Sequence, residues 1–205
     1  MDEPRPLSAL MDTLRHAWRT LEPLGAPMAV MGGLALSVWE HFRATNDVDL
    51  LIGVDDIDTA AVLAKLIEAG IRPRRDPPVT VIGEIEFIQA AYEPPETYVD
   101  LKIDILLAKS EYHRQALRRR ITVPLPEAGF EVAVLRCEDL IILKLLAGRI
   151  IDRVDVIELL KSNRDRLDYD YLSTWLSAEQ LTSDFVERWQ EAFPGEPAPT
   201  QHEQD

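Results

Sequence analysis

Two carboxylates, Asp47 and Asp49, lie inside an apolar run that predicts a strand, within the stretch VMGGLALSVWEHFRATNDVDLLIGV that extends from Val30 to Val54. Side chains alternate along a strand, so both carboxylates share one face. Asp100 and Asp104 share a face in the same way within a later apolar run, YVDLKIDILLA. If these two strands are neighbours, two or three carboxylates converge on one small patch.

Such a cluster must either take up protons or bind cations, because like charges repel one another and burial removes their water. Ligand sets made only of oxygen favour Mg²⁺ or Mn²⁺ over zinc. Pairs of these ions, a few ångströms apart, are the usual apparatus for transferring a phosphoryl or nucleotidyl group. The pattern therefore predicts a divalent-metal site.

A glycine pair, Gly32 and Gly33, lies where a predicted strand gives way to a helix. A bare backbone can approach a triphosphate there, and the helix N-terminus presents free N–H groups and a positive dipole. Alone, a glycine pair or an Asp-x-Asp most often marks a turn or a cap. The order of strand, glycine pair, helix, Asp-x-Asp strand and later inward-facing Asp is what favours a metal and phosphate site.

Hydrophobic periodicity predicts an α/β (α+β) fold class with a helical C-terminal part. We expect helices over 7–23, 34–42, 56–70 and 110–120, and strands over 28–33, 47–54, 79–92, 97–108 and 130–135. From Glu138 onward the pattern is helical. The predicted domains are an α/β core at 1–135, a helical part at 136–193 and a disordered, Pro-rich tail at 194–205.

The net charge of −14 argues against an extensive nucleic-acid surface. Two basic clusters nevertheless stand out: Arg72, Arg74 and Arg75, and Arg114, Arg118, Arg119 and Arg120. They are either solvated faces or a local contact surface. A single cysteine, Cys137, allows no intrachain disulfide. With no signal-peptide pattern and no apolar run long enough to span a membrane, we expect a cytoplasmic protein without membrane contact.

The segment MGGLALSVWEHFRATNDVDLLI resembles the signature of the DNA polymerase beta-like nucleotidyltransferase superfamily, and KIDILL resembles its third motif. The runs RATNDVDL and EDLIILKLLAGRIIDRVDVIELL resemble the minimal bacterial branch, which includes the abortive-infection (AbiE-type) nucleotidyltransferase toxins. The match spans about residues 28 to 161. This resemblance implies a nucleotidyltransferase core, with a mixed β-sheet flanked by helices.

The resemblance also implies roles for individual residues. Asp47 and Asp49 would bind the metal ions, and Asp104 would be the third carboxylate and would help to activate the attacking hydroxyl. Asp100 rivals Asp104 by strand parity, but Asp104 matches the motif better. The nucleotide-binding residues would be Gly32, Gly33, Arg43 and Lys144, and Lys144 would also serve catalysis.

Alternatives stay open for the charged residues. Lys144 lies on an apolar helical stripe, where an ammonium is costly without an anionic partner; it would either neutralise triphosphate or extend to solvent. Arg43 is either a phosphate ligand or a surface ion pair. Arg149, Asp152 and Asp155 match a trailing basic-acidic motif, although Asp152 could be an N-cap and Asp155 a helix surface charge. Many superfamily members have Ser after the glycine pair, where this chain has Leu34.

The implied reaction is in-line transfer of a nucleoside monophosphate from an NTP donor, with two Mg²⁺ or Mn²⁺ ions and release of pyrophosphate. The candidate acceptors are RNA such as the 3′ end of tRNA, a small molecule such as an aminoglycoside, and a protein side chain. If tRNA is the acceptor, we expect the chain to be a toxin with a cognate antitoxin as its partner. A different class is a non-catalytic binding module that retains a degenerate nucleotidyltransferase fold.

Overall fold

The computed structural model describes residues 6–83, 85–95, 97–125 and 129–199. The chain divides into two compact units, one of Met1–Leu34 with Ala44–Leu135 and one of Ala35–Arg43 with Arg136–Asp205. The second unit thus takes a nine-residue stretch from within the predicted core, so the division predicted at residue 135 stays a prediction. None of the helices in the described ranges is both long enough and apolar enough to cross a membrane.

The first unit contains an eight-stranded mixed sheet. Its strands are β1 (Met28–Met31), β2 (Asp47–Gly53), β3 (Arg72–Pro73), β4 (Val79–Ile82), β5 (Ile85–Tyr92), β6 (Leu101–Ala108), β7 (Ile121–Leu125) and β8 (Phe130–Val134). They follow the order β3-β5-β6-β2-β1-β8-β7, and β4 pairs with β5. Strands β2 and β6 are parallel, as are β1 and β8, while the remaining pairs are antiparallel.

Helices α1 (Pro6–Leu21), α3 (Thr59–Glu68) and α4 (Glu111–Arg119) belong to the same unit. The side chains of Asp58 and Ser110 begin α3 and α4, because each accepts a hydrogen bond from a backbone N–H of the first turn. Helix α1 contacts α3 and β2, and α4 contacts β2, so the central strand β2 lies under helices. Helix α2 (Gly32–Val38) begins directly at the glycine pair.

The second unit holds α5 (Cys137–Ala147), α6 (Ile150–Asn163), α7 (Tyr169–Ala178) and α8 (Thr182–Ala192). Gly148 adopts a left-handed φ of 63°, which ends α5 and lets α6 pack against it. The core of these helices is apolar and includes Leu159, Leu160, Leu172, Leu176, Phe185 and Trp189. The predicted α/β class, with a mixed sheet and a helical C-terminal part, is confirmed.

Two sequence predictions about the strands were wrong. Residues 79–92 form a hairpin, β4 and β5, because Gly83 takes a left-handed φ of 60° and turns the chain. The predictions also lacked two strands, β7 and the two-residue β3, and the pattern of β7 is interrupted by Pro124. Strand β7 lies at the edge of the sheet, where proline is tolerated because one side of the strand has no partner.

Of the predicted tail, residues 200–205 lie outside the described part of the chain. Within 194–199, Glu196 pairs with Arg164, whose guanidinium also lies 4.4 Å from the ring centre of Phe193. The side chain of Ala198 is buried. These contacts hold the first part of the predicted tail against the helical unit despite its Pro-rich composition.

Candidate metal centre

The parallel pairing of β2 with β6 brings the predicted carboxylates together. In its register Asp47 lies opposite Lys102, and Asp49 lies opposite Asp104. Because side chains alternate, all four project from one face of the sheet. One oxygen from each of Asp47, Asp49 and Asp104 lies within 4.8 Å of the others, and all three residues are half-buried. We call these three residues the carboxylate triad.

Asp100 does not join the triad. It precedes β6, it is exposed, and its carboxylate accepts a hydrogen bond from Arg72 at 2.6 Å. Strand parity alone left both Asp100 and Asp104 as candidates for the third carboxylate. Strand β6 begins after Asp100, so the strand includes Asp104 and not Asp100. Of the two, only Asp104 lies in the ladder with β2.

Lys102 is a member of this group that the sequence analysis did not single out. Its Nζ lies 2.5 Å from Oδ2 of Asp104 and 3.7 Å from Oδ2 of Asp47. Burial disfavours the charged form of Lys102, but the hydrogen bond with Asp104 and the neighbouring aspartate charges outweigh it and raise the pKa of Lys102. Its position two residues before Asp104 on the same strand was the signal that could have found it.

The glycine pair shapes the other side of the triad. Gly32 has a left-handed φ of 62°, and a Cβ there would lie 1.9 Å from Oδ2 of Asp49. A Cβ on Gly33 would lie 2.6 Å from the side chain of Thr45, whose hydroxyl donates to Oδ1 of Asp47 at 3.0 Å. The missing side chains therefore leave room for the side chains of Asp49 and Thr45.

The triad fits a hard divalent cation. Three carboxylates offer oxygen ligands only, which is the donor set that Mg²⁺ and Mn²⁺ prefer, and their oxygens are near enough to share an ion. Around the triad, the hydroxyl of Thr45 fixes Asp47, and Nε2 of Gln89 approaches Oδ1 of Asp104 at 3.5 Å. Partners of this kind orient metal ligands.

The predicted phosphate ligands Lys144 and Arg43 belong to the second unit, in a buried cluster of charges. The ammonium of Lys144 lies 2.8 Å from both Asp152 and Asp155, and both carboxylates are fully buried. Nε of Arg43 donates to Asp155 at 2.9 Å, and Nε2 of His41 lies 2.9 Å from the same oxygen. Lys144 therefore does not extend to solvent.

The alternatives considered for Asp152 and Asp155 need correction. Asp155 is buried and is not a surface charge. The N-cap of α6 is Arg149 rather than Asp152, but Asp152 is the N3 residue of the capping box and accepts from the backbone N–H and from the guanidinium of Arg149. Burial alone would raise the pKa of both carboxyls. Hydrogen bonds from Arg149 and Lys144 to Asp152, and from Lys144 and His41 to Asp155, outweigh burial and lower both pKa values.

At least three of the seven arginines in the two clusters pair with the protein's own acids. Arg72 pairs with Asp100, Arg114 pairs with Asp55 and Glu111, and Arg118 pairs with Glu111. These pairs are exposed, so each contributes little to stability and can be exchanged for other anions. Their net attraction for a polyanion is reduced accordingly.

Several solved structures share the fold, and they define a class. An antigenic nucleotidyltransferase-like protein from Paracoccidioides brasiliensis is 20% identical, over 90% of this chain and 96% of its own, with a TM-score of 0.50. JHP933 from Helicobacter pylori is 15% identical, over 93% of this chain and 83% of its own, with a TM-score of 0.50. The antibiotic-resistance factor ANT(2″)-Ia is 14% identical, over 88% and 96%, with a TM-score of 0.54. The fold is that of the nucleotidyltransferases.

The family follows from the sequence itself. The model of a family described as nucleotidyl transferase AbiEii toxin, Type IV TA system, matches residues 14–203. The chain belongs to the AbiEii nucleotidyltransferase toxin family, which confirms the resemblance drawn from the motifs. A comparison with curated proteins gives no match.

Proposed function

We propose that the protein is a metal-dependent nucleotidyltransferase, which moves a nucleoside monophosphate from an NTP to an acceptor hydroxyl. The observation that carries this proposal is the convergence of Asp47, Asp49 and Asp104 on one face of the sheet. Membership of a nucleotidyltransferase family makes transfer chemistry the natural use of such a triad. A cytoplasmic location belongs to the same proposal.

The triad would hold Mg²⁺ or Mn²⁺. When bound, such an ion neutralises phosphate charge and makes an adjacent hydroxyl more acidic. Asp104 would accept the proton of the acceptor hydroxyl, whose oxygen attacks the α-phosphorus while the bond to the β-phosphate oxygen breaks and pyrophosphate leaves. The backbone N–H groups at Gly32 and Gly33 would contact the triphosphate, since Leu34 offers no hydroxyl for that purpose.

Lys144 and Arg43 keep their predicted roles as phosphate ligands within this proposal. Lys144 contacts the buried carboxylates of both Asp152 and Asp155. Arg149 also contacts Asp152, and Arg43 also contacts Asp155. The two buried carboxylates would fix the direction of the ammonium and the guanidinium groups. Orientation of this kind lowers the cost of arranging charge around a phosphate group.

For the acceptor we propose RNA, starting with the 3′ end of tRNA, and a cognate antitoxin as the protein partner. The family description as a toxin of a Type IV toxin–antitoxin system supports the antitoxin partner. Expression of the chain alone would then arrest growth, and co-expression of the antitoxin would relieve the arrest.

A cationic small molecule is the second candidate acceptor. It is favoured by the net charge of −14, which attracts a cation such as an aminoglycoside and repels RNA. One solved structure with this fold is an antibiotic-resistance factor. In this case expression would raise resistance to the antibiotic and would not arrest growth.

The proposal is tested by titrating the full chain with each of the four common NTPs, with and without Mg²⁺ or Mn²⁺. The unfolding midpoint and the release of pyrophosphate are followed. We expect one nucleotide to stabilise the protein only when metal is present, because a ligand that binds the folded state raises its stability. Asp47→Asn should lose this effect, whereas Asp56→Asn, which changes an exposed aspartate after β2, should keep it.

Metal-independent stabilisation by nucleotides, or an unchanged response of Asp47→Asn, would contradict the proposed metal site. The absence of any response to nucleotides would favour the non-catalytic binding module instead.

A further inference from the structure

The position of Lys102 gives the carboxylate triad a positive charge of its own. Lys102 lies opposite Asp47 in the ladder and two residues before Asp104 on β6, so its side chain emerges on the face that carries the triad. Its ammonium lies 2.5 Å from Oδ2 of Asp104 and 3.7 Å from Oδ2 of Asp47. No role is assigned to this residue by the motifs that define the site.

We propose that the Lys102 ammonium is a built-in counter-cation, which a divalent ion must displace from Asp104 in order to bind the triad. This proposal rests on the proposed metal-binding function of the triad. It makes Lys102 the residue that sets how tightly the triad holds a divalent ion.

Competition follows from the distances. A divalent ion of this kind binds a carboxylate oxygen at roughly 2.0–2.1 Å. An ammonium 2.5 Å from the same oxygen of Asp104 would then lie a few ångströms from the ion, where like charges repel strongly in a half-buried site. The other oxygen, Oδ1, already faces Nε2 of Gln89 at 3.5 Å. The ion and the ammonium therefore cannot share Asp104 without loss.

Displacement is physically accessible. The Lys102 side chain is 34% exposed to solvent, so its ammonium can move away from Asp104 and into water. A lysine carries a compact charge on a flexible stem of four carbons, which suits an exchangeable cation better than the planar guanidinium of arginine does.

The test is a titration of the EDTA-treated full chain with Mn²⁺ alone, followed by calorimetry or by the electron spin resonance of free Mn²⁺. Lys102→Met keeps the length of the side chain and removes its charge. We expect this variant to bind Mn²⁺ at least tenfold more tightly than the unaltered protein. Lys102→Arg, which keeps the charge, should have an Mn²⁺ dissociation constant equal to or higher than that of the unaltered protein.

Lys109→Met is the matched control. It also removes one positive charge close to β6, but the ammonium of Lys109 pairs with Glu86 at 2.6 Å rather than with the triad. Its Mn²⁺ affinity should stay within about twofold of the unaltered protein, because exposed charges act weakly over distance. An equal gain of affinity in both methionine variants would overturn the proposal, since it would reflect net charge alone.

Stability without metal supplies a second measurement. Lys102→Met should unfold at a lower temperature than the unaltered protein in EDTA, because the three carboxylates would repel one another without the ammonium of Lys102 beside them. Saturating Mn²⁺ should raise its midpoint by more than it raises that of the unaltered protein. An unchanged midpoint in EDTA would contradict the role as counter-cation.

The outcomes separate this proposal from the proposed function. Equal Mn²⁺ affinity in Lys102→Met and the unaltered protein, with binding lost in Asp49→Asn, would overturn the role of Lys102 and leave the metal site intact. No Mn²⁺ binding in any variant would overturn both.

Discussion

At Gly32 the backbone passes so close to the carboxylate of Asp49 that no other residue fits. The left-handed φ of 62° disfavours any other residue, and a Cβ at this position would lie 1.9 Å from Oδ2 of Asp49. Gly32→Ala should therefore lose at least about 1–2 kcal/mol of stability through the left-handed backbone alone. It should also lose Mn²⁺ binding, because Asp49 is pushed out of the triad.

Gly25→Ala separates these two effects. Gly25 has a similar φ of 69°, but a Cβ there meets nothing within 4 Å, so that variant suffers only the backbone strain. Chemical denaturation and Mn²⁺ titration of both variants are the measurements. If Gly32→Ala bound Mn²⁺ as well as Gly25→Ala does, the close approach to Asp49 would not matter for the site.

Single residues also show how far the sequence alone could go. Strand parity was enough to put Asp47 and Asp49 on one face. The parallel register, which no local pattern encodes, brings the predicted third carboxylate, Asp104, opposite Asp49. The same parity applied to Lys102 would have placed an ammonium in the triad. Lys144 was correctly expected to need an anionic partner, but the sequence did not reveal that α6 supplies two buried aspartates.

At the level of elements, α5 and α6 are joined by the buried charges of Lys144, Asp152 and Asp155. Asp155→Asn should destabilise the protein by about 3 kcal/mol, because Lys144 and Arg43 would keep their charges and lose a fully buried partner. Glu158→Gln on the same helix is the control. Its ion pair with Lys161 is exposed and should be worth less than about 1 kcal/mol.

Urea denaturation at neutral pH measures both changes. Equal and small losses in the two variants would show that the buried cluster adds nothing to stability.

The lowered pKa values of Asp152 and Asp155 determine how the stability of the protein depends on pH in acid. Their stabilisation is present above the ordinary aspartate value of 3.8 and is lost as the pH falls below it, through the folded-state pKa values.

Helices were easiest to predict where a regular hydrophobic period follows a clear N-cap residue. Examples are α3 after Asp58 and α4 after Ser110. The errors arose where one residue overrode the period. Gly83 divided a predicted strand into a hairpin, and Pro124 concealed the edge strand β7. Both depend on tertiary context, because a left-handed glycine or an edge proline is recognised only once the strands are paired.

At the scale of the whole molecule, several arginines of this acidic chain form ion pairs with its own carboxylates. The order of elements and the spacing of the motifs were sufficient for the fold class and the family, because both are properties of the sequence along the chain. The acceptor is not encoded in that order.

Transfer of a nucleotidyl group by the triad can be followed with labelled phosphorus. The full chain is incubated with total tRNA, Mg²⁺ and the stabilising NTP, labelled at either the α- or the γ-phosphorus. We expect the α-label to enter RNA while the γ-label leaves as pyrophosphate, and we expect Asp49→Asn to abolish transfer without changing the unfolding midpoint by more than a few degrees. Transfer of the γ-label, or unchanged turnover in Asp49→Asn, would contradict nucleotidyl transfer by the triad.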